Sequence, residues 1–232
     1  ELGTHLTGRH TDLELWPFSF VEFLKAINVP FSNNGFFSTN EKAILLRSFS
    51  NYFTRGGMPE PIVLLNDSIL IQVVSDIIQK DIVTRYRIRK PSGLKAVAKF
   101  LLSNVGNLIS YRSISDNFAI SPNTLQQYIS YLEETYLIFT VNKFDRKIKR
   151  FDKNPKKVYS VDNGIVTKNT VNFNEKRGAL LENLVAIHLK RIGREFYYHS
   201  GASSECDFVI PQKREAIQVC YELDQNNLKR EV

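Results

Sequence analysis

The chain has 232 residues, 43% of them hydrophobic and 24% charged, which is longer than most single domains and ordinary in balance for a water-soluble fold. Its longest apolar runs, Ile62–Leu65 and Tyr136–Val141, fall far short of a membrane span, and no signal peptide is read at its start, so a cytoplasmic location without membrane contact is expected. Two cysteines, Cys206 and Cys220, rule out a disulfide framework or a zinc knuckle, and a net charge of +7 fits a polyanionic partner.

In chain order, Asp12–Trp16 alternates like a strand, Pro17 breaks it, and Ser19 reads as the N-cap of a helix that starts at Phe20 and holds Glu22 in its first turn. A polar loop over Asn28–Asn40 follows. Glu41–Arg55 has helical spacing and stops at Gly56-Gly57, ahead of Pro59 and Pro61. Asn66–Arg85 predicts one long helix with Ile69, Val73, Val74, Ile77, Ile78 and Ile82 on a face. Helices are expected at Ser92–Val105 and Tyr111–Phe118. Ser121-Pro122 then caps another, which should bury Leu125, Tyr128, Ile129 and Leu132 at i, i+3, i+4 and i+7. Tyr136–Phe144 and Lys157–Val161 read as strands, Asp162-Asn163-Gly164 as a turn and Gly178–Ile192 as a helix. Strands are expected again at Glu195–His199, Glu205–Ile210 and Ala216–Tyr221. The chain begins without methionine and ends inside what reads as a starting helix, Asn226–Val232, so a piece of a longer protein is expected.

Three helices followed by a β-hairpin predict a winged helix-turn-helix. Its third helix should turn Asn123, Thr124, Gln126, Gln127, Ser130 and Tyr131 outward, groups that can hydrogen-bond base edges in a major groove. The hairpin loop carries Lys143, Arg146, Lys147, Lys149, Arg150, Lys153, Lys156 and Lys157 against only Asp145 and Asp152, which suits phosphate neutralisation. Winged helices also dock proteins, and Glu133 and Glu134 would repel phosphate. Duplex DNA is the expected partner.

Glu182 on a helix, Asp207 at the start of a strand and Gln218-Val219-Cys220 on the next follow the order in which a PD-(D/E)xK nuclease core gathers its groups around Mg²⁺ or Mn²⁺. Cys220 stands where the lysine belongs, and it cannot carry that charge. The reading is a nuclease scaffold with a silent site, in which Glu182 and Asp207 are structural; no metal ligand set is assigned. His188, six residues after Glu182, reads as a surface or packing residue, and both cysteines as small buried hydrophobes.

Along nearly its whole length the chain resembles the C-terminal two-thirds of prokaryotic AAA-type ATPases that join a P-loop domain to a winged helix and a PD-(D/E)xK-like domain. The carrying motifs are Leu6–Arg9, Leu15–Phe23, Tyr52–Glu60, Lys80–Ile82, Tyr159–Gly164, Gly178–Asn183 and Glu205–Phe208. The resemblance implies an α/β fold, α+β overall: a helical AAA-lid-like segment over 1–90, a winged helix-turn-helix over 91–157 and a small restriction-endonuclease-like domain over 158–232. It implies ATP and Mg²⁺ as cofactors of the intact protein and a homo-oligomer formed through its ATPase domain. No phosphate-binding loop occurs in this sequence, so no cofactor is expected on the chain itself. It also makes Arg9 either a phosphate-sensing or finger-type arginine or a plain helix cap. A metal-dependent DNA endonuclease and a protein-interaction adaptor are the alternative functions.

Overall fold

The structure is a computed structural model that describes residues 11, 13–31, 35, 37–145, 154–171, 176–201 and 205–222. The first helix, α1 (Phe20–Ala26), starts as expected, with Ser19 and Glu22 closing a reciprocal capping box. A second box, Ser38 with Glu41, starts α2 (Thr39–Arg55) two residues earlier than the apolar spacing indicates. After α2 ends at Gly56, a short α3 (Pro59–Val63) and α4 (Ile69–Asp76) lead directly into a π-helix, Ile77–Thr84. The single long helix read from the sequence is therefore two geometries in series. Its buried stripe is Leu70, Val74, Ile78 and Ile82, four apart, a spacing that the wider turn of a π-helix keeps on one side. Leu13 and Leu15 are exposed and form no strand, because alternation without a neighbouring strand to pair satisfies no backbone group.

Next come α5 (Pro91–Ser103), β1 (Leu108–Ile109), α6 (Tyr111–Phe118), α7 (Pro122–Glu134), β2 (Ile138–Val141) and β3 (Lys156–Ser160). The two-residue β1 is an addition to the expected elements; strands so short leave no periodic signal. These strands form an antiparallel sheet ordered β1-β3-β2, with Lys157 facing both Leu108 and Val141 in register. Asp162-Asn163-Gly164 is not a turn. Asp162 accepts from the Ile165 N–H at 3.1 Å and caps α8 (Asn163–Asn169). Helix α9 (Arg177–Arg191) precedes a second antiparallel sheet, β4 (Tyr197–Ser200), β5 (Glu205–Ile210) and β6 (Glu215–Ile217). The chain past β2 lies beside β4, where the Phe144 N–H donates to the Tyr198 carbonyl at 2.7 Å. The whole is α+β, and one continuous apolar core runs from Leu70 through Leu101, Ile129 and Tyr159 to Phe208. No helix among the described residues is long and apolar enough to cross a membrane.

Several of the sequence motifs converge on one buried polar junction. The Asp162 carboxylate accepts from the Gly57 N–H at 2.6 Å, across 105 residues, and its further backbone donors include Met58 and Gly164. Asn163 donates to the carbonyls of Phe53 (2.9 Å) and Leu180 (3.1 Å), and Asn183 donates to the Asn163 side chain (2.8 Å) while accepting from the Ser160 N–H (2.8 Å). Phe18 and Gly57 share a 2.7 Å backbone bond. Arg55 pairs with Asp67 at 2.7 Å, which also holds Lys168 at 2.9 Å.

The junction admits no side chain at its glycines. A Cβ on Gly164 would lie 2.0 Å from the Arg55 carbonyl oxygen and one on Gly57 2.3 Å from that of Phe18. Gly164→Ala and Gly57→Ala should each cost about 3 kcal/mol or more in urea unfolding. Gly178→Ala, where a Cβ meets nothing within 4 Å, should cost nothing. Burial pushes the Asp162 carboxyl up from 3.8 to about 6, against the backbone N–H groups of Gly57, Ile165, Gly164 and Met58. The folded chain thus binds this proton more tightly than the unfolded chain does. The resulting stability is complete below 3.8 and lost as pH rises through about 6. Wild type should gain stability over Asp162→Asn as pH falls from about 7 to about 4, read from paired thermal melts.

Candidate functional site

Glu182, Asp207 and Gln218 do converge. Glu182 stands on α9, Asp207 is buried on β5, and Gln218 follows β6; all three line a cleft of about 540 Å³. The opposite wall is Gly106, Asn107 and Leu108 at the start of β1, so the cleft lies between the two sheets. Cys220 has left the strand, which ends at Ile217. Its thiol is half-buried and 3.0 Å from the Glu222 carbonyl. Cys206 is half-buried too, so neither cysteine is the fully buried hydrophobe expected, and His188 is exposed on α9.

A cation does stand in this cluster, and it comes from β3. Lys157, read from the sequence as one more cation of the wing, is only 4% exposed, and its Nζ donates to Glu182 Oε1 at 2.9 Å and to Asp207 Oδ1 at 2.8 Å. Tyr159, two residues on and therefore on the same side of β3, donates its hydroxyl to Glu182 Oε1 at 2.6 Å. Asp207 Oδ2 accepts from the Val219 N–H (3.0 Å), and the Gln218 amide oxygen accepts from the Asp207 N–H (3.2 Å). Among the described residues, no group of three or more His, Cys, Asp or Glu side chains is placed to hold a metal ion.

Electrostatics hold the proton on Lys157. Burial works against the Lys157 ammonium, but Glu182 and Asp207 outweigh it and raise its pKa. Burial, and then the nearby Asp207 charge, raise Glu182, while Lys157 and the Tyr159 hydroxyl pull the other way. Burial and Glu182 push the Tyr159 phenol above its ordinary value, so it remains a donor. A buried lysine with no partner would lose its proton; one bridging two carboxylates keeps it.

A second surface concerns nucleic acid. Helix α7 buries Leu125, Tyr128, Ile129 and Leu132 as expected and leaves Asn123, Gln126, Gln127 and Ser130 exposed. Thr124 and Tyr131 are half-buried. The Thr124 hydroxyl lies 2.8 Å from that of Ser121, and the Tyr131 ring stacks on Tyr86 with centroids 3.7 Å apart. Glu133 accepts from the Thr140 N–H and hydroxyl, and Glu134 from Tyr86 and Ser130. The Tyr86 stack runs the segment ahead of α5 along α7, where Arg85, Arg87, Arg89 and Lys90 are exposed. That patch is visible in the sequence as alternating cations, shorter than the run after Lys143 and so easily missed beside it. Lys143 is half-buried, whereas Arg146, Lys147, Lys149, Arg150 and Lys153, like Arg9, lie outside the described residues.

A family model described as a domain of unknown function, DUF8612, matches residues 46–176. That span includes Gly57, Lys157, Asp162 and Gly164 and stops short of Glu182 and Asp207. The uncharacterized protein MJ1544 of Methanocaldococcus jannaschii is 34% identical over all of this chain and 54% of its own length. An uncharacterized protein of Haemophilus influenzae is 30% identical over 97% of the chain and 57% of its own length. The chain therefore spans little more than half the length of the curated relatives it matches. No solved structure matches it.

Tyr159 offers a mild test of the cluster. Tyr159→Phe keeps the ring packed between Phe139 and Phe208 and deletes one bond to a part-buried carboxylate. The expected loss is about 1.5–3 kcal/mol in equilibrium unfolding, the range for a bond to a charged group.

Proposed function

The chain belongs to the DUF8612 family, and we propose that it is the C-terminal part of a nucleotide-driven, P-loop ATPase that contacts duplex DNA through a winged helix over residues 91–157. The observation that supports this most is the order α5-β1-α6-α7-β2-β3 with strands arranged β1-β3-β2. In a winged helix that arrangement leaves the third helix outside the sheet, free to enter a major groove, and sets the β2–β3 loop beside it as the wing. Here the third helix exposes Asn123, Gln126 and Gln127, side chains able to pair with adenine edges. Arg87, Arg89 and Lys90 flank it on one side, and the wing's lysines and arginines belong to the same hairpin. The ATP-binding half rests on the resemblance of the motifs and on the greater length of the relatives; ATP and Mg²⁺ would be held there and not by this chain.

Association should be weak, tolerant of sequence and strongly dependent on salt, because phosphate contacts release counterions whatever the bases. Fluorescence anisotropy with a labelled duplex measures it. Reversing Arg87, Arg89 and Lys90 to Glu, or separately Lys147, Lys149 and Arg150, should each weaken binding. Each set should also flatten the slope of log K against log salt by about 0.9 for every phosphate no longer neutralised. Unchanged binding in both sets removes this surface from the reading. No binding of any nucleic acid at low salt would favour a protein-docking role for the module.

A further inference from the structure

We infer that the ammonium of Lys157 is the resident cation of the cleft between the two sheets, occupying the place between Glu182 and Asp207 that a divalent metal ion would take and leaving the cleft closed to Mg²⁺ and Mn²⁺. One nitrogen bridges one oxygen of each carboxylate, at 2.9 and 2.8 Å. A hard divalent ion asks for about six oxygen ligands. Most of the oxygens here are already engaged: Asp207 Oδ1 by Lys157, Asp207 Oδ2 by the Val219 N–H, Glu182 Oε1 by Tyr159 as well as Lys157, and the Gln218 amide by the Asp207 N–H. An entering ion would have to expel an ammonium that is 4% exposed, or sit beside it against like charge. The chain's own residues thus do not fit the metal that a nuclease-like scaffold implies.

The lysine performs a different task. It comes from the central strand of the first sheet, and its partners come from α9 and from β5 of the second sheet. A metal ion would join only the carboxylates of the second module to one another. The ammonium joins that module to the winged-helix sheet.

The test compares the whole chain with Lys157→Met and with the double variant Lys157→Met, Asp207→Asn. Mn²⁺ is the probe, followed by electron paramagnetic resonance of the free ion and by thermal melts in Mn²⁺ or EDTA. Wild type should show no saturable uptake and an unchanged Tm. Lys157→Met, left with two facing carboxylates and room for water, should bind Mn²⁺ at least about tenfold more tightly and gain Tm with it. The double variant should lose both effects. Should Lys157→Met not fold in EDTA, its refolding yield becomes the readout, expected to rise in Mn²⁺; a yield indifferent to Mn²⁺ overturns the inference. Saturable Mn²⁺ binding by wild type that Asp207→Asn abolishes overturns it as well, whatever the lysine variant does.

Discussion

The Asp162 carboxylate, buried and held by backbone N–H groups, is the contact on which the rest of the fold depends. It accepts from Gly57 after α2 and from Ile165 at the start of its own helix, and so joins segments 105 residues apart. Backbone donors cannot be replaced by a different side chain, so the geometry demands glycine where the two strands of chain cross. Gly57 and Gly164 meet that demand at contact distances which no Cβ could share. Asn163 and Asn183 complete the arrangement, Asn163 donating to the Phe53 and Leu180 carbonyls and Asn183 to the Asn163 side chain. Burial of the acid disfavours its charged form, so the junction carries a standing electrostatic cost at neutral pH. What it confers is a unique registration of the helical segment, the first sheet and α9.

Strand β3 carries that registration into the cleft. Asp162 follows the strand's end, and Lys157 lies near its beginning. With the strand anchored at one end by the junction, Lys157 and Tyr159 are both delivered to Glu182. The buried charges are tolerable only because each has a partner. A lone lysine or a lone carboxylate at this depth would cost several kcal/mol, on the order of what a whole small domain has in reserve. The same cluster would be a weak way to gain stability compared with apolar packing, so its value lies in which elements it forces together.

Membership of a family that spans an archaeal and a bacterial relative, each nearly twice the length of this chain, places the two-sheet unit within larger proteins. The family match covers most of α2 and everything from there through the first sheet to α8, including Gly57, Asp162 and Gly164 of the junction. The polar residues Asn123, Gln126, Gln127 and Ser130 of α7 are exposed, as are Arg85, Arg87, Arg89 and Lys90. The charged cleft is separate from them. One unit thus offers two chemically distinct surfaces, one with exposed amides and cations, the other an internally paired ionic cluster.

Local signals are legible wherever a residue acts on its own neighbours. Ser19 and Ser121 announce their helices, Pro122 the first turn of α7, Gly56 the end of α2, and the four-residue rhythm of Leu125–Leu132 its buried face. The order of Glu182, Asp207 and Gln218 foretells that they meet. The sequence could not disclose that Asp162-Asn163-Gly164 starts a helix, because that depends on where the carboxylate finds its donors. Nor could it separate Lys157 from the other cations near it, since burial is decided by strand pairing: only when Leu108 and Val141 flank it in register does its side chain enter the core. Composition and spacing determined the helices and the polar residues available to them. Tertiary packing decided which lysine left the solvent to stand between two acids, because charge pairing acts through space and leaves no fixed interval along the chain.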